Sequence, residues 1–505
     1  MDHGDNAGQR YPSPDPEAGL PRPSEKFERQ ALTAHIDGTF SDATVSGSWH
    51  AQEHTDSRSI RGGQRFWARF KGKGRKKVGW WESLKAIAMS SWLNIFLIFV
   101  PFAWAARFHQ EWGHVVAFAF AFLAIMPLAK IFDWAGEQLS MYCGEDIGDL
   151  VVITLSNAVE ATLAIILLVK CELKLLQSTI AGVVLLHLLL IPGTTFLIGG
   201  VRIWEQELHP QRTQLNHTLL TLGVLALVIP AAFFAALDHV AISSSEGADT
   251  RVVNDVVRSH FLRISRGFAV ILLLVYICSR FYLHDPPGED NAFQVPDNAP
   301  EEIVERQHNL AMEEPKVNPW ACILLLIVTV GIMAVTAEFL VESIEPVRKR
   351  ADIQDEWFGL ILLPVVSFSA DAAIAIVYFL RSSLRYFFKA PPPPESLAEA
   401  KAIDLSIQFT LFWMPFLVLV GWWSGKPLTL LFDLFEVTIL IGSCFLVNYV
   451  TADAKTNWAE GIIMISFYLM IALSAWFYPG QPEISIMAVC ESVQEALVHG
   501  VGPGE

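Results

Sequence analysis

The residues best placed to do chemistry are Ser156-Asn157-Ala158-Val159-Glu160, set between Val151-Val152-Ile153 and Leu163-Ala164-Ile165-Ile166-Leu167-Leu168. An ionisable side chain near the centre of a bilayer costs about 2.5–3.5 kcal/mol on an insertion scale, so its retention points to function. Asn157 and Glu160 stand at i,i+3 and share one helix face. Together with Ser156 they offer oxygen ligands of the kind a hard cation takes. A second acid, Asp371, lies in the middle of another apolar stretch, with Ser369 beside it. Two desolvated carboxylates that meet repel each other, and at least one then holds a proton. A metal offered the same oxygens competes with that proton, and competition under alternating access is exchange. For each acid the alternative reading is a neutral carboxyl hydrogen-bonded between helices.

Other polar residues surround this pair. Glu338 and Glu342 stand one turn apart, with Glu345 beyond, and Glu137 ends an earlier apolar run. Such carboxylates line a vestibule that concentrates cations, or simply mark solvated helix ends. His187 lies in mid-span as a proton relay or as a histidine bonded to a neighbouring helix. Gln408 offers an amide oxygen or bridges two helices. Pro192, Pro364 and Pro415 predict kinks whose freed carbonyls add ligands. Asp433 and Glu436 open a span and suit the positive end of its dipole.

Elements that must position these residues follow from the composition. Of 505 residues, 52% are hydrophobic and only 17% charged, where a soluble domain carries about a quarter charged. The apolar residues form long runs, which excludes every class except a polytopic membrane protein. Spans are predicted at about 88–106, 113–133, 147–169, 175–200, 215–236, 262–283, 319–341, 357–380, 404–423, 428–450 and 458–478. The net charge of −16 gives no basic groove for nucleic acid. Six scattered cysteines, Cys143, Cys171, Cys278, Cys322, Cys444 and Cys490, read as small apolar fillers rather than a disulfide framework. No nucleophile is paired with a base and no phosphate loop, haem or zinc spacing occurs, so neither an enzyme nor a cofactor is expected. The expected partners are cations, protons and membrane lipid, with a homo-oligomer left open.

The predicted organisation is a disordered cytosolic tail over 1–82, a first transmembrane helix over 83–110 and one repeat over 111–283. An acidic cytosolic loop over 284–318, a second repeat over 319–479 and a C-terminal tail over 480–505 follow. Basic residues between 58 and 77 place the N-terminus in the cytosol. Eleven crossings then put the C-terminus in a lumen. Arg381, Arg385, Lys389 and Lys401 agree with this orientation, whereas Arg348-Lys349-Arg350 fall on the far side. Pro391-Pro392-Pro393-Pro394 predict a stiff linker. The Asn216-His217-Thr218 sequon falls in the cytosol and is expected to go unused.

The two repeats are matched by their residues. Gly136-Glu137-Gln138-Leu139 leaves the second span as Ala337-Glu338-Phe339-Leu340 ends the seventh, and Glu160 corresponds to Asp371. Ile191-Pro192-Gly193 corresponds to Met414-Pro415-Phe416. An odd number of spans per copy forces opposite orientations, the inverted-repeat design of secondary transporters. The predicted fold is therefore all-α, with one N-terminal helix and two inverted five-helix repeats.

Asn157-Ala158-Val159-Glu160, the 337–344 run and Asp453-Ala454-Lys455-Thr456-Asn457-Trp458-Ala459-Glu460-Gly461 resemble the calcium/proton exchanger family of calcium/cation antiporters, over about 82–479. Phe416-Leu417-Val418-Leu419-Val420-Gly421-Trp422 and Leu431-Phe432-Asp433 add to the match. The resemblance implies an eleven-helix exchanger fold that moves cytosolic Ca²⁺ into a vacuole-like acidic store in exchange for H⁺. It also shows departures. The family's second Gly-Asn-Ala-Ala-Glu-His stands here as Ser367-Phe368-Ser369-Ala370-Asp371-Ala372. Its Gly-Ser-x-x-Ser-Asn becomes Gly182-Val183-Val184-Leu185-Leu186-His187, and its Gly-Ser-Ser-Thr-Gln becomes Asp404-Leu405-Ser406-Ile407-Gln408. These changes keep open an antiporter for Mn²⁺ or a monovalent cation, or a transport-inactive regulatory relative.

Overall fold

The computed structural model describes residues 78–108, 113–143, 145–200, 205–208, 210–244, 253–284, 314–351, 353–387 and 401–498. The expected tail up to 77, the acidic loop over 285–313 and the polyproline run at 391–394 lie outside the described residues.

Helix α1 (Trp80–Ala88) begins inside the segment expected as tail. A 3₁₀ turn, Trp92–Ile98, leads into α2 (Phe99–Phe108), and the two arms meet at 87°. Asn94 holds this corner by donating to the carbonyls of Ile87 at 3.1 Å and Ala88 at 3.2 Å. Ser91 caps the second arm, accepting from Leu93 N at 3.2 Å, so the segment expected as one first helix over 83–110 is broken between Ala88 and Trp92.

The first half continues with α3 (His114–Cys143), α4 (Glu145–Ser156), α5 (Ala158–Lys170), α6 (Leu173–Leu185), α7 (Ile191–Gly200), α8 (Pro210–Ser244) and α9 (Asp255–His284). The second half holds α10 (Pro319–Ala351), α11 (Asp355–Trp357), α12 (Leu363–Phe387), α13 (Lys401–Gln408), α14 (Met414–Trp423), α15 (Leu434–Val450) and α16 (Trp458–Trp476). Short helices α17 (Pro482–Met487) and α18 (Val493–Val498) follow, so the expected C-terminal tail is partly helical. Strands β1 (Gln206–Glu207) and β2 (Lys455–Thr456) pair antiparallel and tie the two halves at one end.

Among the described residues seven helices are long and apolar enough to cross a membrane, or nine when each of two bent pairs counts as one span. Their outward faces expose Ile229, Leu274, Ile327, Leu469 and Leu473, each more than half exposed, a pattern that lipid rather than water accommodates. Exposed Trp80, Trp320, Trp422, Trp458 and Trp476 sit at helix ends, as interfacial anchors do.

Three prolines produce one device. π-Helical turns at Leu186–Leu190, Phe358–Leu362 and Phe409–Trp413 each end two residues before Pro192, Pro364 or Pro415. Proline has no N–H to give and its ring crowds the carbonyl four residues back. Widening the preceding turn absorbs that mismatch without ending the helix.

Packing between the halves is reciprocal. Helix α3 packs on α10, and α8 on α15; α5 packs on α10 while α12 packs on α3. In the same way α9 lies on α14 while α16 lies on α7. Small residues allow the tightest crossing: a Cβ on Gly182 would sit 2.2 Å from the Leu360 carbonyl oxygen, and one on Gly359 would sit 2.7 Å from Ser178 Cβ. Backbone therefore meets backbone where α6 crosses the turn leading into α12.

One expectation about the cysteines is overturned. Cys171, just after α5, is disulfide-bonded to Cys490, between α17 and α18, with Cα atoms 6.2 Å apart. A separation of 319 residues leaves no spacing signature; only the fold brings the two together. Cys143, Cys278, Cys322 and Cys444 are free thiols.

Candidate cation site

The apolar stretch around Glu160 is not one continuous helix. It breaks at Asn157, and α4 and α5 meet at 50°. The break frees the first backbone N–H groups of α5, so Glu160, in its first turn, sits at the positive end of a helix. Its side chain is buried, with 6% exposure. Asn157 caps α5 by position, yet its side chain makes no capping bond. Its amide instead donates to Gln408 Oε1 at 2.8 Å and to the Leu405 carbonyl at 3.3 Å. Gln408 in turn donates to Thr154 Oγ1 at 2.9 Å. Asn157 Oδ1 is left buried and without a hydrogen-bond partner among the described residues, a state that costs free energy unless a ligand answers it. Ser156, the last residue of α4, is half-buried beside it.

The second acid is placed through its helix. Asp371 lies on α12, which packs against α5; its side chain lies outside the described residues. Ser369 donates to the Val366 carbonyl at 2.6 Å, and Ser367 to that of Pro364 at 2.8 Å. Both hydroxyl protons are thus held within the helix. Phe368 is buried where the resemblance expects an amide.

His187 sits in the π turn after α6 and is 3% exposed. Its Nδ1 lies 2.8 Å from the Val183 carbonyl, which can only accept, so that nitrogen carries a proton. The bond ties the ring to its own helix.

The expected acidic vestibule is divided and charge-compensated. Lys170, at the end of α5, pairs with Glu338 at 2.8 Å and Glu342 at 3.0 Å, and Arg107 pairs with Glu342 at 2.7 Å. A cavity of about 940 Å³ opens beside them, lined among others by Arg107, His114, Lys170, Glu342 and Arg348. Its floor is of mixed sign, not anionic. Glu137 is exposed near the opposite end of α3, roughly 35 Å of helix rise from His114.

A buried polar cluster escaped the sequence reading. Lys174 of α6 lies 3.4 Å from Glu356, 3.8 Å from Asp433 and 3.5 Å from Glu436. Ser178 Oγ is 2.8 Å from Glu356 Oε2 and 2.5 Å from Glu436 Oε1. Asp433 and Glu436 cap α15 as expected: Asp433 accepts from Phe435 N at 2.9 Å, and Glu436 accepts from Asp433 N at 3.2 Å. Asp433 also accepts from the Tyr478 hydroxyl at 2.6 Å and from Gln481 N at 2.9 Å. Burial and the neighbouring carboxylates hold the Tyr478 phenol above its ordinary range, so it remains a donor. The available signal was Lys174 itself, a cation in the first turn of an apolar span. Among the described residues no group of three or more His, Cys, Asp or Glu is arranged to hold a metal ion.

A second polar chain runs outward from Gln408. Asp404, four residues earlier on α13, is 1% exposed and accepts from Asn216 Nδ2 at 2.6 Å. Asn216 is therefore buried in the bundle, and its sequon is inaccessible to a glycan.

These features define an all-helical membrane protein whose two halves converge on a buried amide and acid. Residues 113–283 and 321–477 match the family described as sodium/calcium exchanger protein. A vacuolar calcium ion transporter of Cryptococcus neoformans is 32% identical over 496 residues, covering 83% of this chain and 79% of that one. A Ca(2+)/H(+) antiporter of Synechocystis is 30% identical over 392 residues, covering 76% of this chain and 97% of that one. The solved structure of native YfkE superposes with a TM-score of 0.56 at 21% identity, covering 76% of this chain and all of that chain, and so shares the fold. The chain belongs to the sodium/calcium exchanger protein family, as one of its calcium/proton exchangers.

Proposed function

We propose that this chain is a Ca²⁺/H⁺ antiporter that moves cytosolic calcium into a vacuole, driven by the proton gradient. The observation that carries the reading is Glu160 at the new N-terminus of a broken helix, one turn from the unsatisfied oxygen of Asn157. Relatives described as vacuolar calcium ion transporters and Ca(2+)/H(+) antiporters support the ion and the compartment.

Glu160 and Asp371 bind calcium and protons alternately. Asn157, Ser156 and Ser369 supply neutral oxygens, which can be ligands but cannot release a proton at neutral pH. A calcium ion entering from the cytosol displaces the proton of a carboxyl; lumenal acid returns it and expels the ion. Gln408 holds the Asn157 amide so that its oxygen faces the ion, and His187 borders the path. Glu338 and Glu342 line the far vestibule, where Lys170 keeps them from trapping a departing cation.

Eleven spans, arranged as one helix and two inverted repeats, account for the reciprocal packing of the halves. With a cytosolic N-terminus, the end of α5 and the C-terminal segment both face the lumen. The Cys171–Cys490 disulfide supports this placement, because a bond between them requires a shared compartment, and structural disulfides persist outside the reducing cytosol.

The test is pH-gradient-driven uptake of radioactive Ca²⁺ into vesicles containing the full chain. Glu160→Gln should reduce uptake to background. Uptake that survives it, or a correctly inserted wild type that carries no divalent cation, would overturn the reading.

A further inference from the structure

We propose that Asp404 is a specificity-determining residue of this exchanger, placing an additional carboxylate on the cation's approach to Gln408, with Arg280 as its counter-charge within the chain. The inference deepens the antiport reading and rests on it.

Asp404 and Gln408 stand at i,i+4 on α13 and so share a face. The same face meets Asn157, which donates both to Gln408 and to the Leu405 carbonyl. From α9, Tyr276 and Arg280 reach this region: the guanidinium lies 4.9 Å from the Tyr276 ring centre, and Tyr276 has Arg280, Gln408 and Asp404 as its electrostatic neighbours. Tyr276 is 4% and Arg280 7% exposed. One oxygen on this face, Asn157 Oδ1, is buried without a hydrogen-bond partner among the described residues. An unsatisfied buried oxygen near a buried carboxyl group is what a hard cation needs and what a packed core avoids.

The sequence supplies the reason for such a residue. Position 404 is a glycine in the exchanger motif that this segment resembles, while the second-repeat motif has an amide replaced by Phe368. One ligand is missing from the centre, and one acid has been added a turn away. A buried acid on an ion path attracts cations of every kind; a nearby arginine offsets that attraction until a divalent ion, with twice the charge, outcompetes it. Asp404 thus favours divalent over monovalent cations, and Arg280 sets the threshold.

The experiment compares the wild type with Asp404→Asn, Asp404→Glu and Arg280→Gln in the vesicle assay, measuring KM and maximal rate for Ca²⁺ and competition by Na⁺ and Mn²⁺. Asparagine keeps an oxygen for Asn216, so Asp404→Asn retains that contact and removes the charge. We expect its KM for Ca²⁺ to rise about tenfold, with the maximal rate nearly kept and inhibition by Na⁺ increased. Asp404→Glu should restore a KM within about threefold of wild type, and Arg280→Gln should lower it by about threefold. A KM for Asp404→Asn equal to wild type overturns the proposal. Should Asp404→Asn fail to insert, an unchanged or raised KM in Arg280→Gln overturns it instead. Loss of Ca²⁺ uptake by the wild type would count against the antiport reading, not against this residue.

Discussion

Asn157 and Gln408, 251 residues apart, are joined by a 2.8 Å hydrogen bond that links the break before α5 to the π turn after α13. Each residue sits where its own helix departs from α geometry, so neither half fixes the site alone. Removing the amide leaves Gln408 Oε1 with a lost donor inside the bundle, which costs about 1–3 kcal/mol. Asn157→Ala should therefore raise the KM for Ca²⁺ and lower the unfolding temperature together. A KM change with no thermal change would show that Asn157 is a ligand only, not also a tie between the halves.

Lys174 neutralises part of a buried group of three carboxylates. Lys174→Met keeps the length of the side chain and removes the charge. Breaking a buried pair by deleting one partner costs about 3–5 kcal/mol, so this variant should unfold at markedly lower temperature in detergent. Lys174→Arg should recover most of the loss. Thermal unfolding followed by tryptophan fluorescence reads both.

The ion pairs of Lys170 lie in a different setting, since the side chains of Lys170, Glu338 and Glu342 are 35%, 45% and 29% exposed. Exposed pairs of this kind are worth about 0–1 kcal/mol. Lys170→Gln should leave stability nearly unchanged yet make the cavity more anionic. The expected outcome is slower release of Ca²⁺ at low ionic strength, fading as salt screens the vestibule. Single-turnover efflux at two salt concentrations measures it.

Gly182 has no room for a methyl group. Alanine there would drive Cβ onto the Leu360 carbonyl oxygen, and backbone cannot move aside as a flexible side chain can. Gly182→Ala should cost about 1–3 kcal/mol or more and separate α6 from the turn before α12. Gly267→Ala, where open space surrounds the position, is the control and should behave as wild type.

Much of this was legible from the residues. The apolar runs revealed the helices, and Glu160 stood out because a carboxylate in such a run has no bland explanation as cheap as a leucine. Pro192, Pro364 and Pro415 marked the three irregular turns, though a proline alone does not say whether a helix kinks, unwinds or widens. The break at Asn157 was missed because apolar periodicity continues through it; asparagine's preference for helix starts was the overlooked sign. The Lys174 cluster and the Asp404–Asn216 contact were hidden for a different reason. Their partners lie 178 to 262 residues away, and local pattern carries no information about which helices will touch. Charge compensation of Glu338 and Glu342 was invisible on the same ground, since Lys170 and Arg107 lie far from them in sequence.

The bond between Cys171 and Cys490 places a condition on biosynthesis. A ribosome delivers the second thiol 319 residues after the first. Closure of that loop therefore cannot precede synthesis of the segment after α17, and a non-reducing gel that resolves the two redox forms would separate chains that have closed it from those that have not.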